Sequence, residues 1–76
     1  ISLNLYPNPV SDFLNVNGGD IAGNKWNIVN SLGQIVMNGY IFNNSISIPV
    51  NDLNNGYYSF QLISPDNNVV QKTFVK

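Results

Sequence analysis

The 76-residue chain has no cysteine and no histidine, and its seven charged residues are Lys25, Lys72 and Lys76 against Asp12, Asp20, Asp52 and Asp66, so arginine and glutamate are missing too. Without cysteine there is neither a disulfide framework nor thiolate metal ligation, and a chain of this length must hold together by packing one thin core. Without His, Cys, Glu or Arg, the usual general bases, activated nucleophiles and oxyanion clamps are absent, which argues against an enzyme. Three scattered lysines cannot displace counterions from a phosphate backbone, so nucleic acid is excluded as a partner.

Long apolar runs are also lacking. None approaches the roughly 20 residues that span a bilayer, and no charged start precedes an apolar stretch, so the chain carries neither a signal peptide nor a membrane anchor of its own. A start at Ile1 and not at Met reads as a piece of a longer secreted protein, with residues 1–76 forming a single domain and any export signal lying upstream.

What is present is alternation. Apolar residues recur with period two almost throughout, and no segment keeps a helical spacing, so the chain is all-β. Leu3 and Leu5 share a face, as do Leu14 and Val16, then Trp26 and Ile28, then Ile46, Ile48 and Val50. Tyr58, Phe60 and Leu62 face one way while Tyr57, Ser59 and Gln61 face the other. Asn supplies about a fifth of the residues and clusters between apolar runs, where it acts as a turn former. Asn17-Gly18-Gly19-Asp20, Asn30-Ser31-Leu32-Gly33, Asn54-Asn55-Gly56 and Ser64-Pro65-Asp66-Asn67-Asn68 are the turns, with the chain returning from the second over Gln34 to Met37. Seven short strands separated in this way predict an immunoglobulin-like Greek-key β-sandwich of seven strands. Tyr6-Pro7-Asn8-Pro9-Val10-Ser11-Asp12 stands out as a stiff corner between the first two strands, because alternate prolines remove two donors and bias their neighbours to extended geometry. In the last strand, strict alternation puts Val70, Lys72, Phe74 and Lys76 on one face, which leaves either a bulge or a Lys72 that extends past the core edge on its aliphatic stem.

Candidate ligand chemistry is sparse. The four Asp residues lie near turns, where they serve as caps and solvated charges better than as calcium ligands, since no acidic loop spacing appears. Tyr40, Phe42 and Tyr57 are the residues on which a sugar ring would stack, and Trp26 is a fourth candidate; Trp26 lies in phase with Ile28 and belongs in the core instead. No cofactor or metal is expected.

Four motifs taken in order are more informative than any of these. Leu3-x-Leu5-Tyr6-Pro7-Asn8-Pro9-Val10-Ser11-Asp12, then Ser31-Leu32-Gly33-Gln34-Ile35-Val36, then Leu53-x-x-Gly56-x-Tyr58, then Lys72-x-Phe74-Val75-Lys76 resemble the C-terminal sorting domain (type A) of type IX, or Por, secretion cargo, over essentially the whole chain. The resemblance implies a non-catalytic address from a Bacteroidetes protein: an N-terminal cargo domain is carried through the periplasm and across the outer membrane to the cell surface or medium. Its partners would be outer-membrane translocon and sortase components, the sortase removing the domain. Carried over residue by residue, the family positions are Pro7, Asn8, Pro9, Gly33, Gly56, Tyr58, Lys72 and Lys76. Most have a structural role that competes with recognition: the prolines shape a corner, the glycines permit turns, Tyr58 fills core. Lys72 and Lys76 are costly to bury, which places the element that is read in the last strand, Lys72, Phe74, Val75 and Lys76, with edge pairing to a partner strand as its mode. Thr73 and Phe74 stand where members often carry further basic or aliphatic residues. The alternative is a surface adhesion or carbohydrate-binding sandwich, since a fold does not settle a function. Weak homodimerisation through short strand edges is left open.

Overall fold

The computed structural model describes residues 3–76; Ile1 and Ser2, which are too little of the stretch before the domain to locate the cleavage site that the resemblance implies there, lie outside the described residues. Seven strands form: β1 (Asn4–Tyr6), β2 (Phe13–Asn17), β3 (Lys25–Asn30), β4 (Ile35–Tyr40), β5 (Ser45–Pro49), β6 (Tyr57–Ile63) and β7 (Val69–Val75). They make two antiparallel sheets, β1-β2-β5 and β4-β3-β6-β7, and the described residues contain no helix. Two hairpins lie in the second sheet, while β2 and β5, distant in sequence, pair in the first; this is the immunoglobulin-like sandwich expected from the alternation.

The core is where the period-two pattern puts it. Leu14, Val16 and Ile48 from one sheet meet Ile28, Phe60, Leu62 and Phe74 from the other, and all are buried. Trp26 stacks on Phe60 with ring centroids 6.0 Å apart, and Tyr58 stacks on Phe74 at 5.6 Å. Such offset pairs add about 0.5–1.5 kcal/mol to the area they bury. The outward residues of the two central strands of the larger sheet include Asn27 and Gln61, which sit opposite each other.

β4 runs further than the apolar pattern suggested, to Tyr40 and not Met37. Gly39 makes this continuation fit, because it lies opposite Trp26 and its missing side chain leaves room for the indole: a Cβ there would stand 2.9 Å from the ring. The β3–β4 turn is held by the Asn30 side chain, whose Oδ1 accepts from the Leu32 and Gln34 N–H groups at 3.0 and 2.9 Å. Gly33 completes it at φ 84°, in the left-handed region that disfavours other residues.

The question raised by β7 is answered by its register. Pairing with β6 is continuous from Tyr57↔Val75 to Ile63↔Val69, with no bulge. Lys72 therefore lies opposite the fully buried Phe60, on the core side, and is nonetheless exposed. Since β7 is the edge of its sheet, the side chain leaves past the rim of the core, carrying its charge into water on an apolar stem.

Candidate functional site

Strand directions collect the motif residues at one end of the sandwich. β1 and β5 finish there, β2 and β6 begin there, β7 ends there, and the β3–β4 turn lies at the same end because Asn30 pairs with Tyr58. Pro7, Asn8, Pro9, Gly33, Gly56, Tyr58, Phe74, Val75 and Lys76 thus share a pole, although Gly33 is two strands away from β7. Lys72 sits apart, part-way along β7.

The corner and the last strand are physically joined. Both Tyr6–Pro7 and Asn8–Pro9 peptide bonds are cis, and Pro7, Asn8 and Pro9 are exposed. The Val75 N–H donates to Asn8 Oδ1 at 3.0 Å, and the Val10 N–H donates to the Val75 carbonyl at 2.8 Å. Residues 8–10 therefore act as a short splint along the outer edge of β7, and the two prolines, lacking N–H groups, confine that splint to one place. Val10 itself is buried in the core.

Lys76 is held from the other side. It exchanges main-chain hydrogen bonds with Gly56 at 2.9 and 3.0 Å, and its ammonium donates to the carbonyls of Asn51 and Leu53 at 3.2 and 2.5 Å. Those carbonyls belong to the loop between β5 and β6, so the half-buried Lys76 fastens the loop instead of projecting freely. Tyr58 completes the arrangement: its hydroxyl donates to the Asn54 carbonyl at 2.6 Å, the tyrosine corner of immunoglobulin-like sandwiches. Sequence reasoning placed Tyr58 in the core and missed this bond. The signal was a Tyr opening a strand just after an Asn-rich turn.

Lys72 is different in kind. Among the described residues, Lys76 is the lysine whose ammonium finds hydrogen-bond acceptors, and none is found by Lys72. Of the two lysines in the terminal motif, one already has a structural task and the other has only solvent.

The remaining candidates do not converge. Tyr40, Phe42 and Tyr57 are 61%, 84% and 68% exposed. Tyr40, however, lies in the row of Ile63 while Tyr57 opens the same strand, six residues or about 20 Å away, so they do not form one sugar-stacking platform. Trp26 is buried, with its indole N–H unpartnered. Asp66 works within the far-pole turn: Ser64 Oγ donates to Oδ1 and Asn68 Nδ2 donates to Oδ2 at 3.0 Å. The Ser64 hydroxyl is the main reason that its carboxyl is held below the usual carboxylate range. Among the described residues no three acidic, His or Cys groups gather as metal ligands. A shallow depression at that pole, lined by Lys25, Tyr40, Ile63 and Ser64, brings no second titratable partner to Lys25 except the tyrosine.

The fold is a small sandwich in which residues 8–10 and the end of β7 are fastened into one exposed corner, with Lys72 exposed on an edge strand. Residues 4–76 match the secretion system C-terminal sorting domain, and the chain belongs to that family. Its function is that of a sorting signal for type IX secretion. No curated protein matches the chain. Among solved structures, it is similar to part of PorZ, an essential bacterial surface component of the type IX secretion system of Porphyromonas gingivalis. The TM-score is 0.84 at 18% identity, over 96% of this chain and 11% of that one. At that identity the likeness concerns the fold. The chain thus spans about a tenth of the length of the structure it resembles.

Proposed function

We propose that the domain is read in its folded state, as a corner built jointly from Asn8 to Val10 and the end of β7, while it takes an N-terminal cargo from the periplasm across the outer membrane. The observation that carries this is the position of Val75 and Lys76. Their main-chain groups are bonded to Asn8, Val10 and Gly56, and the Lys76 ammonium is seated on two carbonyls, so the terminal motif is a structured surface and not a tail. A translocon component that reads it meets Pro7, Asn8 and Pro9 beside Val75. A surface sortase then removes the domain, and the cargo is anchored or released.

Chain direction supports the same reading. β1 begins at Asn4, paired with Asn17, at the pole opposite the corner, so a cargo joined upstream leaves the corner unobstructed. Deleting residues 72–76 is a poor test, because it removes Phe74, a fully buried core residue, together with the motif. A cleaner test fuses the domain to a periplasmic reporter in a host with the type IX system and compares it with Ile28→Asp, which buries a charge in the core and leaves every motif residue in place. The intact fusion reaches the cell surface and the variant does not. Equal export of Ile28→Asp would overturn folded recognition; a reporter retained in the periplasm by the intact domain would overturn the sorting role itself.

A further inference from the structure

The outer edge of β7 is open along its middle. Lys76 exchanges both main-chain bonds with Gly56, toward β6, whereas Val75 sends its N–H and C=O the opposite way, to Asn8 and Val10. Antiparallel strands alternate the side to which successive residues bond, so Thr73 and Gln71 are oriented like Val75, away from β6. Among the described residues no hydrogen bond reaches their outward main-chain groups. The splint ends this vacancy at Val75, which leaves the stretch from Val69 to Thr73, or about 15 Å of strand.

Lys72 stands within that stretch, between Gln71 and Thr73, exposed and without an acceptor, and residues 69–76 contain no acid. Four strands lie at sheet edges, β1, β5, β4 and β7. The first three carry no charged residue at all, so β7 alone combines free main-chain groups with a charge. A second copy of this chain is a poor occupant of Gln71 to Thr73, because antiparallel pairing of two β7 edges over these residues is centred on Lys72 and sets one Lys72 directly opposite the other, and like charges directly opposite are destabilising.

We infer that β7 takes up an extended segment of a secretion-machinery component along Gln71 to Thr73, with an Asp or Glu of that segment beside Lys72. The inference rests on the sorting role and specifies the partner's chemistry: an acidic edge-pairing strand. Main-chain bonds supply the pairing and Lys72 supplies the choice of partner. The competing explanation is that Lys72 only deters edge-to-edge aggregation.

The test uses the cargo fusion in the secreting host, with a photo-crosslinking residue at Gln71 or, as a control on the other edge of the same sheet, at Asn38. Gln71 is expected to crosslink to an outer-membrane secretion component, at a segment mapped by mass spectrometry to contain Asp or Glu, and Asn38 is not. Lys72→Glu is expected to lower export at least tenfold with an unchanged urea midpoint, and reversing the mapped acid to Lys restores it. Thr73→Pro, which removes an outward N–H and spares the bonds to β6, gives the same loss. The inference fails if Lys72→Glu is exported at the parental level, if Asn38 crosslinks as strongly as Gln71, or if Lys72→Gln merely promotes self-association. In each of those cases the intact fusion is still exported, which separates this failure from failure of the sorting role.

Discussion

Asn8 and Val75 are separated by 67 positions and joined by one hydrogen bond, 3.0 Å from the Val75 N–H to Asn8 Oδ1. The Pro-Asn-Pro corner and the terminal strand are thus two halves of one structure. Asn8→Ala removes the acceptor and leaves the bond from Val10 to Val75. A loss of about 0.5–1.5 kcal/mol is expected, seen as a lower urea midpoint at constant m-value, together with faster hydrogen exchange at the Val75 amide. Unchanged exchange at Val75 would show that this bond does not hold the corner.

Tyr58→Phe keeps the stack on Phe74 and deletes the hydroxyl that reaches the Asn54 carbonyl. The expected loss is about 1–2 kcal/mol in equilibrium unfolding. Phe74→Ala should cost about 3–5 kcal/mol, a large share of the stability of a domain this small. Similar losses from the two variants would contradict the separation of bond from core volume.

Gly39→Ala drives a methyl against the Trp26 indole, where the Cβ would lie 2.9 Å from the ring. About 1–3 kcal/mol of destabilisation is expected, with a changed near-UV circular dichroism band for Trp26. Gly19→Ala meets no atom within 4 Å and serves as the control, with its stability unaltered.

The two lysines of the terminal motif should part in their effects. Lys76→Met strips two carbonyls of a charged donor and lowers stability by about 1 kcal/mol, a figure reduced for its partial exposure. Lys72→Met should remain within about 0.5 kcal/mol of the parent. Thermal melts of the two purified variants decide the point; equal shifts would mean that Lys72 has a structural partner after all.

Asp66 gives a pH signature. Its carboxyl is held below the ordinary value of 3.8 chiefly by the Ser64 hydroxyl, so the contribution of the 64–68 turn is complete above that value and is lost as pH falls through the lower, folded one. A titration of the Asn68 amide by NMR should show a midpoint below 3.8, and Ser64→Ala should move it upward. A midpoint that ignores Ser64→Ala would remove the hydroxyl as the cause.

Strand content was legible in the sequence because the core-facing residues of every strand, Lys72 excepted, are apolar and each turn carries Asn, Gly or Pro; Tyr58, Phe60 and Leu62 could be assigned to the core on that basis. The state of Lys72 was not, since alternation alone gave it the same face as Phe74 and only the edge position of β7 shows how both can be satisfied. Nor was the use of Lys76. Its acceptors are main-chain carbonyls of Asn51 and Leu53, groups that every residue has and that no side-chain pattern can mark. The family motifs could be quoted in order along the chain, but their meeting at one pole follows from strand directions, which become visible only once the strands are paired.

The splint between residues 8–10 and Val75 also has a meaning in time. Val75 is made 67 positions after Asn8, so the corner can close only when the strands between them have been made. A domain cut short before Val75 leaves Asn8 Oδ1 and the Val10 N–H without their counterparts. The closed corner is therefore a surface that a chain lacking the end of β7 does not present.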